Sequence, residues 1–151
     1  MCERNTRALD LEGRYILTTT LLAADDNRAI LDHLQTMLEK EKDYEVIAAI
    51  SDGTMVVHEC LRLRPAVILL DVSLGNVSGI DIARQLRDSG CSAKIVFVTV
   101  HEDIDYMNAA IGAGGAAYVV KSRLSLDLLT AIRAVLSGKL FISSGLLHQP
   151  R

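Results

Sequence analysis

Asp25 and Asp26 stand side by side in LLAADDN, Asp71 follows AVILL, Thr99 closes KIVFVT and Lys121 follows AAYVV. Every one of these polar residues sits where an apolar run ends. Three carboxylates brought together without a cation would repel one another until one took up a proton. A magnesium ion relieves that repulsion, since it favours oxygen ligands and is commonly held by one or two carboxylates together with waters and phosphate oxygens. An ammonium and a hydroxyl nearby would meet the remaining oxygens of a phosphoryl group. A carboxylate between a metal and a lysine can attack phosphorus and give an aspartyl phosphate. Each residue also has a plainer use. An aspartate can cap a helix, Asp71 can open a loop by binding nearby N–H groups, Thr99 can satisfy a strand end and Lys121 can be solvated. Capping needs one aspartate, not two, and the recurrence of polar residues at the ends of apolar runs favours a shared site.

Five apolar runs of strand length, residues 16–24, 45–50, 66–70, 94–99 and 116–120, would have to position these groups. Three of the runs are continuously apolar, the pattern of strands covered on both faces. Between them the period becomes helical. Ile30, Leu31, Leu34, Met37 and Leu38 make one stripe; Ile104, Met107 and Ile111 a second; Leu128, Leu129, Ile132, Val135 and Leu136 a third. Weaker helical segments span 52–64, stopping before Pro65, and 79–88, stopping before Gly90. Strict alternation with short connections predicts an open parallel α/β sheet with helices on both faces. Five units are too few for an eight-fold barrel. In open sheets of this kind ligands gather beyond the carboxyl ends of the strands, the edge where Asp25, Asp26, Asp71, Thr99 and Lys121 would all lie.

The chain's 151 residues suit one ordinary domain, and its 50% apolar content with a net charge of −3 is that of a globular, soluble protein. No Lys/Arg-rich run gives the electrostatic footprint of a nucleic-acid binder, so DNA binding by this chain alone is not expected. Cys2, Cys60 and Cys91 are odd in number and widely spaced, which argues against a disulfide framework and suits a reducing cytoplasm. His58 and Cys60 lack the paired spacing of zinc ligands and read as a surface histidine beside a buried thiol. No window reaches the roughly 20 apolar residues of a membrane span. Residues 1–14 read as an N-terminal extension without a signal-peptide core, 15–138 as the domain, and 139–151 as a tail or the start of a linker.

In order and spacing, LLAADDN, VILLDVSLGNVSGID, IVFVT and AYVVK resemble the receiver domain of two-component response regulators, above all the branch that carries a LuxR-type helix-turn-helix output. The resemblance covers roughly 15–138. It implies a flavodoxin-like (βα)5 fold with strand order 2-1-3-4-5 and a phosphoprotein of phosphorelay signalling, not an enzyme. In that family's terms Asp71 would be the phosphoacceptor and Asp26 a direct magnesium ligand. Asp25 would act largely through water, and the backbone carbonyl of Ser73 would complete the set. Thr99 would be the switch hydroxyl, Lys121 the phosphate-pairing lysine and Tyr118 the switch aromatic; the plainer reading of Tyr118 is a core tyrosine with its hydroxyl at the rim. A sensor histidine kinase would donate the phosphoryl group, homodimerisation would follow, and DNA would be reached only through an output domain that this chain lacks. Truncation of that output is expected in preference to a stand-alone receiver, because KLFIS resembles the approach to a linker.

Three positions depart from the family pattern. Gly75 stands where proline is common four residues after the acceptor, implying a looser loop. Ser122 follows the lysine where proline is frequent. Val100 follows Thr99 where a smaller residue is usual, and its bulk would slow phosphoryl turnover. Competing readings are a magnesium-dependent phosphohydrolase, a flavin carrier and a receiver that works as a phosphorylation-independent binding module. The first usually has an acid/base carboxylate two residues past the nucleophile, where Ser73 stands. The second would have a Ser/Thr/Gly-rich phosphate loop where Asp-Asp-Asn stands.

Overall fold

The computed structural model describes residues 5–146. Its parallel strands are β2 (Tyr15–Ala24), β3 (Tyr44–Ile50), β4 (Val67–Leu70), β7 (Lys94–Thr99) and β8 (Ala117–Val120). They lie in the spatial order β3-β2-β4-β7-β8, the 2-1-3-4-5 arrangement expected for a flavodoxin-like sheet. Five helices make the crossovers: α1 (Arg28–Glu39), α2 (Val56–Leu63), α3 (Gly79–Asp88), α4 (Ile104–Gly112) and α5 (Leu124–Leu136). The continuous apolar runs arise because both faces are covered, and every residue of β4 and β8 is buried.

Alternation along the strands divides the core in two. Leu22, Ile68, Leu70, Phe97 and Tyr118 face α2, α3 and α4, whereas Leu21, Leu69, Val96, Val98 and Val119 face α1 and α5. The sequence stripes supply the opposing surfaces, with Leu31, Leu34 and Leu38 of α1 and Leu128, Ile132 and Val135 of α5 all buried. Cys60 lies in the first core, where burial pushes its thiol pKa up to about 12, and His58, two residues earlier, is exposed.

Two strands extend the sheet beyond the five expected. β1 (Asn5–Leu9), within the segment read as an extension, pairs antiparallel with the first half of β2, from Asn5 opposite Thr19 to Leu9 opposite Tyr15. β9 (Phe141–Ile142), within the segment read as a tail, pairs parallel with β8. A separate hairpin, β5 (Ser73–Leu74) and β6 (Val77–Ser78), stands over the end of β4. Among the described residues no helix is long and apolar enough to cross a membrane.

Candidate functional site

Strand register brings the strand-end residues together. Ala24 is paired with Leu70, so Asp25 and Asp71 emerge side by side, and the Asp71 amide donates to the Ala24 carbonyl at 3.1 Å. Thr99 is paired with Val120, which sets Lys121 at the neighbouring strand end. Carboxylate oxygens of Asp25, Asp26 and Asp71 all lie within 4.8 Å of one another. The Lys121 ammonium bridges two of them, with Nζ 2.7 Å from Asp25 Oδ2 and 2.9 Å from Asp71 Oδ2.

The site is buried on its inner side. Asp25 is 1% exposed, Asp71 5% and Thr99 0%, while Asp26 faces solvent. Burial raises the Asp25 pKa above the ordinary carboxylate value, and the charge of Asp71 adds to the rise; the hydrogen bonds from Lys121 and the Asn27 amide oppose it without cancelling it. For Lys121, burial alone would lower the pKa, but its hydrogen bonds and ion pairs with Asp25 and Asp71 outweigh burial and raise it. Three carboxylates against one ammonium leave two negative charges. Hard oxygen donors, a solvent-facing Asp26 and that residual charge fit a magnesium ion.

Neither aspartate of the pair caps α1. Asn27 does, its side chain accepting from the Ala29 amide at 3.0 Å, while Asp25 Oδ1 accepts from the Asn27 amide at 2.8 Å. Both carboxylates of the pair are thereby left to the pocket. Asp26 Oδ2 accepts from the Gly75 amide at 3.1 Å. Gly75 has φ +62°, outside proline's range, and proline would lack that N–H. The departure expected to loosen the loop thus fastens its turn to Asp26. Ser73 donates its amide to Asp71 Oδ1 at 3.3 Å, placing its backbone beside the carboxylate. The Val100 side chain, expected to crowd the pocket, is 66% exposed. The peptide bond preceding Ser122 is trans.

Thr99 and Tyr118 meet through His101, which the sequence did not single out. The Thr99 hydroxyl accepts from the His101 amide at 3.3 Å, and the Tyr118 hydroxyl donates to the His101 carbonyl at 2.8 Å. Tyr118 is fully buried, and burial raises its pKa, as do the nearby charges of Asp103 and Asp71. Its hydroxyl is hydrogen-bonded into the loop after β7, so the tyrosine is both core residue and loop anchor. The His101 ring stacks on Tyr106 of α4 at 4.3 Å and lies with Nε2 3.3 Å from Ser73 Oγ. Gly79 was likewise read only as a helix start. A Cβ there would overlap the Asp71 carbonyl oxygen, so α3 can approach the end of β4 only at a glycine.

Comparison with known proteins gives a consistent result. The family profile described as response regulator receiver domain matches residues 21–133. The chain is 33% identical over 119 residues to the "Uncharacterized transcriptional regulatory protein YvfU" of Bacillus subtilis, covering 79% of this chain and 60% of that protein. It is 32% identical to "Transcriptional regulatory protein DesR" of the same organism, covering 80% of this chain and 59% of the relative. This chain therefore spans about three fifths of the length of these curated relatives. Among solved structures, a LuxR-family two-component response regulator from Aurantimonas sp. SI85-9A1 superimposes with a TM-score of 0.82 at 25% identity, over 86% of this chain and 93% of that one.

Proposed function

The chain belongs to the response regulator receiver domain family, and on that premise we propose that Asp71 accepts a phosphoryl group from a sensor histidine kinase. The observation that carries this reading is the convergence of Asp25, Asp26 and Asp71 around the Lys121 ammonium at one sheet edge. Asp26 and Asp71, with Asp25 acting largely through water and the Ser73 backbone carbonyl, would hold a magnesium ion, which when bound neutralises charge on the entering phosphoryl oxygens.

An Asp71 carboxylate oxygen attacks phosphorus in line, forming the O–P bond as the P–N bond to the donor imidazole breaks and its electron pair returns to nitrogen. No proton leaves Asp71. The Ser73 amide and Lys121 orient the carboxylate before attack, and Lys121 then pairs with a phosphoryl oxygen. Thr99 turns its hydroxyl from the His101 amide to another phosphoryl oxygen, and Tyr118 takes up the space so vacated. Because Thr99 and Tyr118 both bind the backbone of His101, the rearrangement reaches α4 through the ring of Tyr106. A nearly complete population switch needs roughly 5.5 kcal/mol of differential binding, within reach of two or three charge-assisted contacts at about 1.5–3 kcal/mol each.

Ser73 occupies the position where a phosphohydrolase on this sheet would carry its acid/base carboxylate, so we read the chain as an acceptor and not as an enzyme acting on an external phosphoester. The altered α4–β8–α5 surface would promote a homodimer and, in a cytoplasmic protein built like the curated transcriptional regulators it resembles in sequence, control an attached DNA-binding output. The test is labelling by phosphoramidate with magnesium. The wild-type chain gains one phosphoryl group by intact mass and Asp71→Asn gains none; undiminished labelling of the variant places the acceptor elsewhere.

A further inference from the structure

Beyond the residues matched by the family profile, the chain places one polar side chain under the phosphate-pairing lysine. Ser143, just past β9, is 0% exposed. Its amide donates to the Tyr118 carbonyl at 2.9 Å, which continues the β8–β9 ladder. Ladder pairing accounts for the backbone but not for the hydroxyl. Ser143 Oγ accepts from the Val120 amide at 3.1 Å and donates to Asp127 Oδ2 at 2.8 Å. The same Asp127 oxygen accepts from Arg123 Nε at 3.0 Å.

This network brackets Lys121. Lys121–Arg123 is a short 3-10 turn between β8 and α5, and neither the turn nor α5 has a side-chain cap of its own. Ser143 holds the residue before the turn, and Asp127, itself tied to Ser143, holds the residue that closes it. We propose that Ser143 is a positioning residue for Lys121, so that a segment outside the family match sets the lysine used in phosphoryl transfer. The inference rests on Asp71 being the acceptor. Both ammonium contacts, at 2.7 and 2.9 Å, depend on where this turn sits, and a misplacement near 1 Å is enough to cost a large factor in rate. Leu146, 2% exposed and packed in the same core as Tyr118, pins the far end of the segment.

The test measures phosphoramidate labelling rates of the whole chain against donor and magnesium concentrations. Ser143→Ala and the near-isosteric Ser143→Cys should each lower the maximal rate at saturating magnesium about tenfold, because a displaced ammonium no longer meets the phosphoryl oxygen even when the metal is bound. A folded variant of either kind that labels at the wild-type maximal rate overturns the proposal. So does a loss of rate that saturating magnesium restores in full, which marks weakened metal binding and not a misplaced lysine. On the unmodified chain the Val120 amide should be strongly protected from hydrogen exchange, and rapid exchange there contradicts the proposal without any variant. Asp71→Asn run in parallel separates the two failures: if it labels, the acceptor assignment is wrong; if it is silent while the Ser143 variants match wild type, only this inference falls.

Discussion

Asp25 holds a carboxylate where burial works against its charge. Its raised pKa means that the fold favours the protonated form, so the ionised group subtracts stability at pH values above its folded pKa and the cost vanishes below the ordinary value of 3.8. Asp25→Asn is therefore expected to stabilise the magnesium-free protein at pH 8 by about 0.5–2 kcal/mol, the usual exchange of stability for function. That is a Tm rise of roughly 2–4 °C per kcal/mol in a chain of this size. The gap should close near pH 3.5, and a variant that melts below wild type at pH 8 without magnesium would refute the electrostatic account of this residue. At this scale the sequence was informative where a polar side chain ended an apolar run, as Asp25, Asp71, Thr99 and Lys121 do. His101 was silent because its role comes from its backbone and from a loop path that no periodicity encodes. Asn27 was hidden by its neighbours, since three adjacent capping-competent residues do not reveal which one caps.

The five strands and five helices were legible because both-face burial writes continuous apolar runs and amphipathic stripes. Other elements left weaker traces. β1 (NTRAL) has no alternating pattern, and β9, β5 and β6 are two residues each, too short for any period to register. Their positions follow from tertiary pairing, as with β9 against the otherwise open edge of β8. The approach of α3 to the end of β4 depends on one residue of the element. In Gly79→Ala the new methyl group must displace the Asp71 backbone or the helix, so a loss of about 1–3 kcal/mol in denaturant unfolding is expected, with slower labelling of Asp71. Wild-type stability and labelling in that variant would show that the contact is not as close as described.

Over the whole molecule, a parallel sheet covered by helices on both faces gathers groups from four crossover units at one edge, and the order of the strands decides which of them touch. That order came from family resemblance and not from composition or period; the register then accounts for the lysine bridge between Asp25 and Asp71. The same geometry links the pocket to the α4–β8–α5 face through His101 and Tyr118, and to the segment after β9 through Ser143. The most direct measurement is a titration of the wild-type chain with beryllofluoride and magnesium, followed by amide NMR. Saturable shifts are predicted to cluster at Asp25, Asp26, Asp71, Thr99 and Lys121 and to spread through His101 and Tyr118 to α4. An unchanged spectrum, or shifts confined to another part of the fold, would contradict a single cation and phosphoryl pocket at this edge.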